Sequence, residues 1–290
     1  MQKLVCKKFS ALAAVCAFLL SAAPVFAQPN VVMTEQGAKV KTPVRDNFYD
    51  RVNHKEAMPL EYEYVNERDV MWEKRIWREI PLNEKRNHTF NYAVRPLIQI
   101  LLEAAALGQI TAYSTLKDDF TIPLCLDDVA KLCGSADTLM VTNPDTREDE
   151  MTVVYNKFDY NTVRSFRLKE VWYFDSKYGK LNVRIMGIAP VVARYNSEGI
   201  FLHEAPMCWF YYPELRNLLA REEAFNSENE AANWTWDDVF NARLFASYIT
   251  KEGNVYDRRI ADYKTHLDAL VEANVIHETM RNFELDMWEH

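Results

Sequence analysis

The chain has 290 residues, a formal net charge of −8 and only 7 glycines, where average usage would give about 20. Phosphate and dinucleotide loops need clustered glycines, so that backbone N–H groups can reach a pyrophosphate; the closest two here, Gly179 and Gly187, lie eight residues apart. The absence of GxGxxG, of GxxxxGKS or GxxxxGKT, and of GxSxG argues against a P-loop NTPase, a standard Rossmann enzyme and an α/β-hydrolase, while 49% hydrophobic residues suit a packed core.

Residues 1–27 read as a secretory signal. Lys3, Lys7 and Lys8 form a basic start, Phe9 to Ala23 a short apolar run, and Val25-Phe26-Ala27 places small residues where cleavage between Ala27 and Gln28 is expected. The run is shorter than the roughly 20 residues of a spanning helix, and Val15 before Cys16 speaks against lipid attachment. The expectation is an exported protein with neither its own lipid anchor nor direct membrane insertion. Losing three lysines and no acid takes the net charge from −8 to −11. An acidic chain without a basic run also argues against nucleic acid as a partner. Cys125, Cys133 and Cys208 remain, an odd number for an oxidising compartment. Cys125 and Cys133 flank a predicted helix, Asp127 to Leu132, closed by Gly134; eight helical residues would hold them roughly 12 Å apart, too far for a disulfide. All three are read as buried thiols.

Residues 28–59, with Pro29, Pro43 and Pro59, read as an N-terminal arm, either a disordered linker or a segment that orders on a partner. Leu60 to Val65 alternates and predicts a short strand. In Val70 to Ile80, Trp72, Ile76 and Ile80 recur at spacing four and favour a helix capped by Asp69, although the segment also partly fits period two. Arg95-Pro96, Leu97 to Leu107 and Gly108 give a core helix with Pro in its first turn and Gly at its end. A strand is expected near Met151–Phe158. Residues 166–175 and 180–189 flank Ser176-Lys177-Tyr178-Gly179, a hairpin signal; the expected register sets Phe174 opposite Leu181, Trp172 opposite Val183 and Leu168 opposite Gly187. Glu170 then stands in an apolar stripe, a buried-carboxylate candidate that is either a site group or a sheet-edge Glu paired to an Arg. A further strand is expected within Ile200–Tyr212, then a short helix from Pro213 to Arg221. Glu214 to Asp238 is acidic and Asn-rich and reads as mostly surface loop. Thr235-Trp-Asp-Asp238 resembles a capping box opening a helix through Trp236, Phe240, Leu244 and Tyr248. In the C-terminal helix Leu267, Leu270 and Val271 lie about 180° from Ile276, Met280, Phe283 and Met287, which favours a break near Ala273-Asn274 over one helix sandwiched between two surfaces. The pattern is α+β: an antiparallel sheet built on the 166–175/180–189 hairpin with flanking strands, packed with several helices and ending in a helical C-terminus, as a single domain over residues 60–290.

The chemistry-bearing residues form no catalytic, metal or cofactor motif. The six histidines (54, 88, 203, 266, 277 and 290) give no HxH or HExxH, and the cysteines no CxxC. The pairs Asp118-Asp119, Asp127-Asp128 and Asp237-Asp238 suit a calcium site or a glycosidase on paper, but two of them sit at predicted helix starts, where carboxylates stabilise the dipole. What is abundant is Trp, Tyr and Arg, the usual anchors of protein interfaces, in Trp72 to Arg78, Trp209 to Tyr212, Trp234 and Trp236, and Trp288.

Four blocks carry a family resemblance: Asp69-Val-Met-Trp-Glu-Lys-Arg-Ile-Trp-Arg-Glu-Ile80; Gly108-Gln-Ile-Thr-Ala-Tyr113; Phe166 to Phe174 with Val183 to Pro190; and Ser247-Tyr-Ile-Thr-Lys-Glu-Gly-Asn-Val-Tyr-Asp-Arg-Arg-Ile260. From about Tyr62 to the C-terminus they resemble the gliding-motility protein family GldN, called PorN in non-gliding relatives. The resemblance implies a non-enzymatic periplasmic component of the type IX secretion system, peripheral to the outer membrane. It implies that the protein forms a ring with a GldK/PorK-like lipoprotein and contacts a GldM/PorM-like motor component. The arm before Tyr62 does not match, and Gly253 stands where relatives carry a small polar residue. The expected interface residues are Trp72, Arg75, Trp77 and Arg78 first, with Tyr256, Arg258 and Arg259 second. The competing reading is a periplasmic glycan-binding protein or glycan-active hydrolase.

Overall fold

The computed structural model describes residues 54–142, 149–196 and 199–288. The predicted signal with its Ala27–Gln28 cleavage point, the arm through residue 53 and the side chain of Trp288 lie outside the described residues. The described part has the expected α+β architecture. Strand β1 (Val70–Pro81) pairs antiparallel with β5 (Val163–Asp175) on one side and with β11 (Tyr248–Glu252) on the other. β5 pairs with β6 (Lys180–Tyr195). The far edge of β6 takes β7 (Phe201–Pro206) and, at Gly187 and Ile188, β8 (Trp209–Tyr211), on which β2 (Ala112–Tyr113) closes the seven-stranded sheet. β3 (Gly134–Thr142) and β4 (Asp149–Lys157) form a separate hairpin, and β9 (Glu223–Ala224) and β10 (Trp234–Thr235) a short ladder. Helices α1 (Leu97–Ala106), α2 (Leu126–Cys133), α3 (Tyr212–Leu219), α4 (Trp236–Asn241) and α5 (His266–Trp288) complete the described elements.

β1 corrects the expected helix at Val70–Ile80. A spacing of four serves a helix face and a strand face equally, since four is both near 3.6 and a multiple of two. The neighbours decide: both edges of β1 find partners, and from Ile76 to Ile80 every residue is buried, on both faces. Trp72, Ile76 and Ile80 still share a side, the one that packs on helices. Leu60–Val65 corrects in the other direction. It forms no strand, and its contacts run to distant segments: the Tyr62 ring lies 4.0 Å from the Arg216 guanidinium and 5.0 Å from that of Arg184.

The hairpin forms as expected at its tip, with Phe174 opposite Leu181 and Trp172 opposite Val183, and Gly179 takes φ +59° in the turn. Leu168 faces Ile188 rather than Gly187, because a bulge between Lys169 and Glu170 shifts the register by one. Gly187 therefore falls opposite Lys169. A Cβ there would stand 2.4 Å from Cζ of Phe120, so glycine is needed at 187 for space, not for backbone freedom.

One face of the sheet is roofed by helices. Phe166, Leu168, Ile188 and Phe210 pack with α1, α3 and α4 around Phe90, Tyr212, Trp236 and Phe240. Farther along the same face Ile76 and Ile249 pack with Ala273, Ile276 and Met280 of α5. The expected break at Ala273-Asn274 is absent: α5 is one helix, with its inner stripe on the sheet while Leu267, Leu270, Val271 and Val275 remain exposed. The opposed apolar phases are two sides of a single cylinder. The capping box is present, Thr235 Oγ1 accepting from the Asp238 N–H and Asp238 from the Thr235 N–H. Its helix ends at Asn241, with Arg243 at φ +52° in a left-handed turn after it, so Tyr248 belongs to β11 and not to a longer helix. The expected strand at Ile200–Tyr212 splits into β7 and β8 where the Met207 N–H donates to the Pro190 carbonyl. The cysteines are free, but only Cys208 is buried; Cys133 is half-buried and Cys125 exposed, which corrects the reading of three buried thiols. Cys125 sits at the start of α2, with its S–H directed to Asp128 Oδ2 at 3.0 Å.

Candidate interaction face

Strand alternation puts a second set of side chains on the face away from the helices: Arg75, Trp77 and Glu79 of β1 with Arg167, Lys169, Val171 and Tyr173 of β5, in register. Trp77 is the centre of this face. It packs with Ala189 and Trp209, is 7% exposed, and lies between two ammonium groups, Lys251 at 4.3 Å and Lys169 at 5.7 Å from its ring centroid. Cation–ring contacts of this kind gain strength as water is removed. Lys169 donates to the Asp118 carbonyl and lies 3.6 Å from its carboxylate; burial pulls its ammonium below the usual lysine range, against the pull of Asp118. Lys251 pairs with Asp257. The loop after β2 reaches over this face and seats Phe120 on Gly187, beside Trp209 and Tyr211.

Two concavities open here. A cleft of about 490 Å³ lies between Trp77, Asp118, Arg167, Trp209, Lys251 and Arg259. Burial first, then the like charge of Arg259, pulls the Arg167 guanidinium below its ordinary range, while Glu79, 3.6 Å away, opposes this. Glu79 also accepts from Ser165 Oγ at 2.6 Å. A shallower groove of about 650 Å³ runs over Met71, Arg75, Val171, Tyr173, Arg184 and Met186. It combines apolar floor with unburied guanidinium, the mixture that suits a protein partner.

The expected interface residues divide between the two faces. Arg75 is exposed on the open face beside Glu73, and its carbonyl accepts from the Gly253 N–H at 2.8 Å. This bond ties β1 to the 253–259 loop, so Arg75 and Trp77 meet the segment bearing Tyr256, Arg258 and Arg259. Tyr256 is 73% exposed, the Arg258 guanidinium stacks 4.4 Å from its ring, and Arg259 lines the cleft. Trp72 and Arg78 turn to the helical face. Trp72 stacks on Phe283 of α5 at 4.8 Å and 25°, and Arg78 is buried. Lys169, Lys251 and Phe120 were not singled out from the sequence. The alternation of Arg167 and Lys169 about Leu168 is the signal that a second, cationic face exists.

Glu170 is fully buried and accepts from Arg243 Nη2 at 2.8 Å and from Trp172 Nε1 at 3.0 Å. It is paired to an Arg, as one reading had it, but in a central strand rather than at a sheet edge. Five carboxylates of the three acidic pairs have partners. Asp118 holds Lys169 and Asp119 accepts from Thr121. Asp128 binds Lys131 at the start of α2. Asp237 accepts from Arg216 at 3.1 and 3.2 Å, while Asp238 closes the cap. Among the described residues no three His, Cys, Asp or Glu side chains are grouped to hold a metal ion, and no described helix is long and apolar enough to cross a membrane.

The family model for gliding motility associated protein GldN matches residues 65–289 of the chain. No curated protein matches it.

Proposed function

Because the chain belongs to the GldN family of gliding motility associated proteins, we propose that it is a non-enzymatic structural subunit of the type IX secretion and gliding machinery. It is exported by the 1–27 signal and works in the periplasm through its 60–290 domain, behind the 28–59 arm. Its partners are other copies in a ring, a GldK/PorK-like outer-membrane lipoprotein and a GldM/PorM-like motor component, and its role is to transmit force or position between motor and ring. One observation carries this reading. The two sequence blocks that hold the expected interface residues, far apart in the chain, are joined at Arg75 and Gly253, with Arg75 exposed beside Glu73 and Arg259 lining the cleft next to Trp77.

The test is co-purification. Mature protein recovered from envelope extracts should bring down the lipoprotein and the motor component. Arg75→Glu and Tyr256→Ala should each weaken capture of at least one of them, with circular dichroism unchanged. Wild-type recovery of both partners by both variants would sink the assignment of this face. Recovery of neither partner by the wild-type protein would sink the functional reading itself.

A further inference from the structure

A third concavity, of about 540 Å³, lies on the helical side between β1, β11, the 243–247 connection and α5. Its charged lining is Arg78, Arg243 and His277, with no carboxylate among the lining residues, in a chain of net charge −8. Arg78 is 8% exposed. Its Nε and the Nη1 of Arg243 are buried without a hydrogen-bond partner among the described residues. Glu170 stands behind them, but its oxygens are held by Arg243 Nη2 and Trp172 Nε1. Two guanidinium charges therefore share one carboxylate.

Apolar packing does not account for Arg78. A buried cation short of a counter-charge is destabilising, and a methionine would fill the space without that cost. The surroundings register the excess of positive charge. Burial and Arg243 both push the Arg78 guanidinium down against Glu170, and burial, Arg78, Arg281 and Arg243 push the His277 imidazole below its ordinary value. Guanidinium groups present planar forks of donors matched to the paired oxygens of an oxyanion. Ser247 and Asn274 line the same pocket and offer further polar groups.

We propose that this pocket is an oxyanion-binding site, in which a carboxylate or phosphate group is held by Arg78 and Arg243. It lies on the opposite side of the sheet from the interaction face, so either assignment can fail without the other. The group can come from a free ion or from an acidic side chain of a polypeptide partner. The experiment separates these sources. Mature protein is titrated at constant ionic strength with inorganic phosphate and, separately, with a polyglutamate peptide. Binding is followed by calorimetry and by the His277 imidazole resonances, assigned with His277→Gln.

Saturable binding that shifts His277, and that Arg78→Met weakens about tenfold or more (about 1.4 kcal/mol), is the expected result. Phosphate binding alone identifies a free-ion site, and peptide binding a carboxylate donor. Arg78→Met keeps the Glu170–Arg243 pair. If it nonetheless fails to fold, Arg243→Lys keeps a charge at Glu170 while removing the fork, and should weaken binding similarly. No saturable binding of either probe, or equal affinity in wild type and the folded variant, overturns the proposal.

Discussion

Trp72 and Trp77 lie five residues apart on one strand and serve opposite sides of it. On the helical side Trp72 is stacked on Phe283, and two buried carboxylates are matched by direct hydrogen bonds, Glu170 by Arg243 and Asp237 by Arg216, while Arg78 is left to share Glu170. On the open side Trp77 is a platform for the ammonium groups of Lys169 and Lys251, and the neighbouring guanidinium groups line clefts. Away from the Arg78 pocket, the helical face is fixed by geometric pairing in a packed interior. The open face is held by cation–ring stacking around a buried Trp77 and keeps the guanidinium groups of Arg75 and Arg259 within reach of a partner. Strand alternation, which a one-residue shift would invert, is what separates the two roles.

The comparison breaks most sharply at Glu170. Glu170→Ala leaves Arg243 and Arg78 without their shared carboxylate, and removal of one partner of a buried pair costs about 3–5 kcal/mol. Glu170→Gln, which keeps an acceptor for Trp172, should lose less. Urea unfolding of the two variants measures this. A loss under about 1 kcal/mol for the alanine would mean that the pair behaves as a surface ion pair and that the two faces do not differ in this way.

Alkaline pH tests the dryness of the helical side. Burial pushes the Cys208 thiol up to about 12 from an ordinary value of 9.0. Above about pH 9 the unfolded chain releases a proton that the folded chain keeps, so stability falls as pH rises towards about 12. At the top of that window the thiol's contribution reaches roughly 4 kcal/mol. Tyr248, also raised to about 12 by burial, adds a loss of the same sign above its ordinary 10.0. Cys208→Ala should therefore flatten the slope without abolishing it. Denaturation curves at stepped pH for both proteins measure the difference, and identical slopes would show the thiol to be accessible.

How much of this was legible in the sequence depends on the range of the interaction. The core helix α1, the Gly179 turn and the Thr235 cap are local and were readable. The register shift between Lys169 and Glu170 was not, since the turn fixes the pairing only near the tip of the hairpin. The spacing of Trp72, Ile76 and Ile80 could not separate strand from helix until β11 and β5 supplied ladder partners. The two apolar stripes of α5 were read correctly as opposed phases. Their meaning turned on whether a chain can leave one stripe exposed, which periodicity does not decide. For the interaction face, Arg75 and Trp77 and the 256–259 segment were each visible as Trp, Tyr and Arg clusters. Their joining across the β1–β11 edge was not visible, since it rests on tertiary pairing between distant segments.

A pair of glycine substitutions makes the smallest and most local test of the open face. At Gly187 an added Cβ meets Phe120 at 2.4 and 2.8 Å, and Phe120 is itself hemmed in by Trp209 and Tyr211. Gly187→Ala must therefore lift the ring and loosen the loop that also carries the Asp118 contact to Lys169; overpacking of this kind costs about 1–3 kcal/mol. At Gly253 the nearest atoms to an added Cβ are the Arg75 carbonyl oxygen at 3.6 Å and the Arg75 Cβ at 3.9 Å, ordinary contact distances. Gly253→Ser should stay within about 0.5 kcal/mol of wild type. If the two substitutions cost the same, Phe120 is not seated on the sheet and the cleft beside Trp77 is open wider than described. If only Gly187→Ala is destabilising and the helical-face near-ultraviolet signal is retained, the loop is a separable cover on a face whose other side is already complete.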